Sequence, residues 1–167
     1  MQMLAGILVI SDKGWSGERL DESGRVAQEI VSKLGIEIGK YEIVPDEAGI
    51  ISGKLIEWCD EVGLDLIVTS GGTGLSSRDV TPEATLAVID KPIPGLTEAM
   101  RMDTMKKKPE AMLSRAVAGS RGKCLIINLP GSPKAVKECL EVILTVLPHA
   151  LELLGGRISE CANYEAG

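Results

Sequence analysis

Asp65-Leu66-Ile67-Val68-Thr69-Ser70-Gly71-Gly72-Thr73-Gly74 is the stretch on which the fold turns. Asp65 to Thr69 reads as a buried strand bounded by a turn signal. It runs without a spacer into a chain of small residues. Glycine lets the backbone turn sharply and bring several N–H groups close to an anion. An isolated glycine pair is more often a plain tight turn. Here Arg78-Asp79 and a helix start at Thr81-Pro82-Glu83 follow closely, and together they favour an anion-binding loop. No Gly-Lys-Ser/Thr follows and no G-x-G-x-x-G occurs, so the segment is neither a P-loop nor a dinucleotide fingerprint.

Working outward, Ala5 to Ile10 is a second continuous apolar run, as expected of a strand buried on both faces. A polar loop, Ser11 to Asp21, follows it. Ser23 then offers a cap to a helix with Val26, Ala27, Ile30, Val31 and Leu34 at helical spacing and Gly35 at its end. Residues 36–44 form the next strand, ending at Val44-Pro45-Asp46. Ile51, Leu55, Trp58, Cys59 and Val62 line the helix after that. Beyond the glycine loop, Thr81 supplies a capping hydroxyl with Pro82 at the first helical position. Pro94-Gly95 opens a helix to about Asp103. The polar, basic stretch 104–121 is expected to be loop plus an edge hairpin. Cys124 to Leu129 is the last buried strand, and Pro130-Gly131-Ser132-Pro133 caps a helix through Leu147, where Pro148 kinks or restarts it. Strands alternating with helices predict one domain over 1–167: an α/β, three-layer, open and mostly parallel sheet with helices on both faces. In such sheets ligands bind beyond the carboxyl ends of the strands.

Composition narrows the function classes. The 167 residues are 44% hydrophobic and only 2% aromatic, with no Phe, so the core is aliphatic and stacking platforms for single-stranded nucleic acid are not expected. A net charge of −6 without a basic run argues against a nucleic-acid partner. Cys59, Cys124, Cys139 and Cys161 form no C-x-x-C pair, and His149 is the lone histidine, so buried free thiols are expected rather than zinc. The apolar run at 5–10 is too short for a signal or membrane helix, which leaves a cytoplasmic location and no membrane partner.

Several residues at the strand ends have two readings. Asp79 is either an acid favouring the dipole of the following helix or, with Asp46, one of two hard ligands for a divalent cation between phosphates. Asp46 alone would be an ordinary turn aspartate. Pro130-Gly131-Ser132, with Lys134 nearby, is either a simple cap or a second phosphate site at a helix N-terminus. Ser11-Asp12 is most simply a turn or cap. Met100, Met102 and Met105 suit core or subunit-interface packing.

Taken together, ISDKGWSGERLDESG, IVPDE, TSGGTGLSSRDVTPEAT, IPGLTEAMR, MLSRAVAGSRGKCLIINLPGS and KECLEVILTVLPHALELL resemble the MogA-type molybdopterin adenylyltransferases, from about residue 5 to 155. The G domain of gephyrin and its plant counterparts carry the same pattern, and MoaB proteins share the fold and much of the signature. The resemblance implies a homotrimer that uses magnesium and ATP to join AMP to the terminal phosphate of molybdopterin, releasing pyrophosphate, with possible hand-over to a metal-insertion protein. It implies that Asp46 and Asp79 are the essential, metal-holding aspartates and that Gly71, Gly72, Thr73 and Gly74 form the substrate loop. Ser132 falls at the same pocket, in company with Pro130 and Gly131; Ser11 and Asp12 are carried as substrate-binding candidates, and Asp21, Ser23 and Gly24 match the N-terminal loop. Two rivals stand beside this reading: a silent binding or scaffold module of the same fold, and a different nucleotide-using enzyme such as a small kinase.

Overall fold

The computed structural model describes residues 2–158, so Cys161 lies outside the described residues. Its strands are β1 (Leu4–Ile10), β2 (Glu37–Val44), β3 (Leu66–Ser70), β4 (Lys91–Pro92), β5 (Ala118–Arg121) and β6 (Cys124–Leu129). They form one sheet in the order β2-β1-β3-β6-β5-β4. The first four in that order run parallel, with Val9 opposite Ser70, Ile10 opposite Val44 and Ser70 opposite Leu129. Their carboxyl ends therefore stop level, along one edge. β5 and β4 close the other side in antiparallel fashion.

Alternation along the strands splits the core in two. Ala5, Ile7, Val9, Val68 and Ile127 pack beneath α2 (Ser23–Ser32), α5 (Pro94–Thr104), α6 (Pro133–Ile143) and α7 (Leu147–Leu154). Leu8, Ile10, Ile67 and Ile126 face the opposite layer, which holds Ile51 and Leu55 of α3 (Ala48–Ile56), Trp58, and Ala84 of α4 (Thr81–Leu86). The expected three layers and mostly parallel sheet are present. Both faces are covered, which is why these strands read as unbroken apolar runs.

Local details depart from expectation where tertiary contacts compete. The loop at 11–21 begins with a short helix, α1 (Asp12–Trp15), whose cap is Ser11, accepting from the Gly14 N–H at 3.0 Å. Ser23 does not cap α2; Asp21 takes that work, its Oδ1 accepting from the Gly24 N–H at 2.9 Å. The helix containing Trp58 widens to a π-turn over Glu57–Glu61. Within 104–121 a 3₁₀ turn spans Pro109–Leu113, and the hairpin there is β5 turning at Gly122 into β6, so only its first strand lies in that stretch. Pro148 does restart the chain, as the first turn of α7. Cys124 and Cys139 are buried free thiols and Cys59 is partly buried; burial pushes the Cys139 thiol up to about 11.

Candidate functional site

The glycine loop leaves β3 at the centre of the carboxyl edge. Gly71 and Gly72 take positive φ angles of 104° and 67°, a region that L side chains avoid. There is also no room for a side chain: a Cβ at Gly71 would stand 2.2 Å from the Ile10 carbonyl oxygen.

What holds the loop is a set of bonds to its carbonyls. The Thr81 hydroxyl donates to the Gly71 carbonyl at 2.9 Å, and the Thr81 N–H to the Gly72 carbonyl at 3.1 Å. Thr81 was expected to cap α4 with that hydroxyl. Val80, the residue before it, occupies the cap position and has no polar side-chain atom to cap with, while the Thr81 hydroxyl is committed to the loop. Arg115 takes the next two carbonyls, its N–H reaching Thr73 at 2.9 Å and its Nε reaching Gly74 at 2.8 Å. In a trans peptide the N–H points opposite to the C=O. With four successive carbonyls turned into the protein, the N–H groups of Gly72, Thr73, Gly74 and Leu75 face away from those donors. None of the four donates to an acceptor among the described residues. Such a row of free, fixed N–H groups has the geometry to receive anionic oxygen.

Carboxylates stand beside it. Asp46, just past β2, exchanges bonds with Asp12: the Asp12 N–H donates to Asp46 Oδ2 at 2.8 Å and the Asp46 N–H to Asp12 Oδ1 at 3.0 Å. Arg78 grips Asp12 with Nε and Nη2 at 3.0 and 2.9 Å, and this guanidinium holds the Asp12 carboxyl below its ordinary pKa. Asp46 shifts the other way: burial raises its pKa first, and the charges of Asp12 and Asp79 raise it further. Asp79 bends back over the loop, its Oδ2 accepting from the Ser76 N–H at 2.9 Å. The site thus carries excess negative charge that a cation would relieve. Among the described residues no group of three or more His, Cys, Asp or Glu could cage a metal by itself. Two carboxylates next to an anion receptor suit magnesium, which is usually shared between one or two acids and substrate phosphates.

Ser132 begins α6. Its hydroxyl accepts from the Ala135 N–H at 3.2 Å, the expected cap, and Pro133 follows. The Ser70 hydroxyl ties this turn to β3 by donating to the Pro130 carbonyl at 2.8 Å. Two clefts meet at Gly131 and Ser132. One, of about 630 Å³, is lined by Ser11, Asp46, Gly71, Gly72, Asp79, Gly131 and Ser132 among others. The second, of about 510 Å³, takes in Thr73, Gly74 and Pro130 with apolar Leu75, Met100 and Ala135 and basic Arg101 and Lys108. Asp12 lines neither cleft, and His149 is exposed away from both.

Sequence reasoning missed Thr81 and Arg115 as supports of the loop, and also Asn128. That buried amide, on β6, donates to the hydroxyls of Thr69 and Thr85 at 3.0 and 2.9 Å and accepts from the Val117 N–H at 3.1 Å. A polar residue inside CLIINL was the available signal.

Fold and cleft together define a class: an α/β protein with an anion-receptive, acid-flanked cleft at the carboxyl edge of a mostly parallel sheet. Residues 6–149 match the family described as probable molybdopterin binding domain, and the chain belongs to that family. It is 47% identical over 153 residues to a molybdopterin adenylyltransferase of Helicobacter pylori, covering 90% of this chain and 87% of that protein. The Escherichia coli molybdopterin adenylyltransferase is 39% identical over 171 residues, covering 94% and 88%. Among solved structures, the molybdopterin biosynthesis enzyme MoaB of Thermus thermophilus superposes with a TM-score of 0.88 at 52% identity, covering 93% of this chain and 98% of that one.

Proposed function

We propose that the chain, acting as one molybdopterin-binding domain, is a molybdopterin adenylyltransferase. A terminal phosphate oxygen of molybdopterin attacks the α-phosphorus of ATP, a P–O bond forms, the bond to pyrophosphate breaks and pyrophosphate leaves. The observation that carries this reading is the glycine loop, with four carbonyls tied back and four N–H groups presented beside Asp46 and Asp79. The names of relatives spanning nearly the whole chain support the choice of substrates.

Nucleotidyl transfer needs positioning and charge neutralisation more than covalent help. Gly71 to Gly74 and the N-terminus of α6 at Ser132 bind phosphate oxygens. Asp46 and Asp79 would hold magnesium, which supplies positive charge against the pyrophosphate oxygens. Asp12 acts behind Asp46, steadied by Arg78, rather than on the substrate. The two clefts accept the two substrates side by side, with Pro130, Gly131 and Ser132 as the ledge between them. The chain works as a homotrimer; exposed Met102, Met112 and Leu113 give it apolar surface to bury, and light scattering should report three times the chain mass.

The deciding experiment is turnover of molybdopterin with ATP and magnesium, following adenylylated product and pyrophosphate. Molybdopterin binding without product would make the chain a binding module of the same fold. Label from the γ-phosphate appearing on a product would make it a kinase.

A further inference from the structure

Arg115 enters the site from outside. It lies between the 3₁₀ turn and β5, and its guanidinium spreads its donors over separate acceptors: Nε on the Gly74 carbonyl, Nη2 on the Asp79 carbonyl at 2.8 Å, and Nη1 on Glu83 of α4. The first two are the ends of the segment that carries Ser76, Arg78 and the Asp79 side chain. Its own N–H holds Thr73, so one residue fixes three carbonyls, those of Thr73 and Gly74 in the glycine loop and that of Asp79 beyond it.

Arg115 is itself braced. On α5, Arg101 Nη1 donates to the carbonyls on either side of it, Ser114 at 3.2 Å and Ala116 at 3.1 Å, while Nη2 reaches the Thr97 hydroxyl at 3.3 Å. Arg101 and Ser114 also line the smaller cleft. The wall of the smaller cleft is therefore built into the support of a loop that borders both clefts.

We propose that Arg115 is a positioning residue for the transfer reaction: by clamping the Gly74 and Asp79 carbonyls it sets both the row of N–H groups and the place of the Asp79 carboxylate. This rests on the adenylyltransferase reading. A planar guanidinium presents its donors in a fixed fork to two acceptors at once, whereas a lysine ammonium on a flexible stem imposes no such geometry. Misplacement of reacting groups by about 1 Å costs on the order of 10²-fold in rate.

The test compares wild type, Arg115→Ala and Arg115→Lys in two measurements: adenylylation kinetics, and calorimetric binding of pyrophosphate with magnesium. Both variants should lose about 10²-fold in kcat and bind pyrophosphate about tenfold more weakly. Millimolar guanidinium chloride should restore much of both losses in Arg115→Ala, whereas the same concentration of methylammonium should not. A merely stabilising side chain would lower the melting temperature and leave kcat and pyrophosphate affinity of the folded variants near those of wild type. Should Arg115→Ala fail to fold, Arg115→Lys keeps the charge and decides the matter by its rate and pyrophosphate affinity. Wild-type affinity in either folded variant, absence of guanidinium rescue, or a wild type that binds no pyrophosphate overturns the proposal. A wild type that binds pyrophosphate yet never adenylylates molybdopterin overturns the enzymatic reading instead, and the affinities still decide whether Arg115 sets the loop.

Discussion

The glycine loop after β3 and the Pro130–Ser132 turn after β6 end neighbouring parallel strands, yet they are held in opposite ways. The turn is nearly self-contained: Ser132 caps its own helix three residues on, and the Ser70 hydroxyl adds one tie. The loop depends on residues remote in sequence, Thr81 ten positions away and Arg115 forty-one positions from Gly74. A local device can present one or two helix N–H groups. Turning four consecutive peptides the same way requires donors from elsewhere, and the loop that needs them is the one flanked by both acids.

If that contrast is right, the loop should be brittle and the turn forgiving. The largest loss of stability is expected from Gly71→Ala, where the φ of 104° and the 2.2 Å approach to Ile10 combine. Backbone strain and overpacking, about 1–3 kcal/mol each, should together remove roughly 2–6 kcal/mol in urea unfolding. A cost under ~1 kcal/mol would mean that the loop relaxes freely.

Asp79→Asn comes next and separates its two roles. As part of the reacting charge network its loss should lower turnover by roughly 10²–10³. As a helix-dipole acid alone it should cost about 0.3–1 kcal/mol of stability with turnover nearly intact. Asp46→Asn should lower turnover too, but with the opposite sign in stability at neutral pH. Because the folded pKa of Asp46 lies above its unfolded value, the folded state binds more protons between the two. Stability therefore falls as pH rises through that interval and stays lower above it. The asparagine variant should melt higher than wild type at pH 7, and the advantage should vanish below the unfolded value of 3.8. Equal melting temperatures at both pH values would sink the charge argument.

Asn128→Ala strips partners from buried Thr69, Thr85 and the Val117 N–H, and should cost about 1–3 kcal/mol. The smallest effect belongs to the turn. Ser132→Ala removes a cap, about 1 kcal/mol, and a much larger loss would erase the distinction between the two regions.

The same contrast explains which features were legible in the sequence. Strands buried on both faces announce themselves as apolar runs, and Ser132-Pro133 declares its helix start within two residues. The glycines at 71 and 72 were visible because their conformation excludes other side chains. Thr81 looked like a cap because local spacing favours one, and only the folded chain shows its hydroxyl drawn back to Gly71. Arg115 sat in a basic stretch with nothing nearby to mark it. Its partners at Gly74 and Asp79 are backbone carbonyls, which leave no trace in residue identity. Asp46 and Asp79 were picked out together, whereas the bonds joining Asp12 to Asp46 and to Arg78 were not, since they cross thirty-four and sixty-six residues of chain.

Gly131 and Ser132 border both clefts. If one ligand fills each cleft, the coupling between their affinities across this ledge is a single thermodynamic quantity. Whatever free energy the first occupant adds to or removes from the second, the second returns to the first in equal measure. Titrating one ligand in the presence of the other thus measures the same coupling from either side, and a substitution at the ledge that changes the coupling seen in one titration must change it equally in the other.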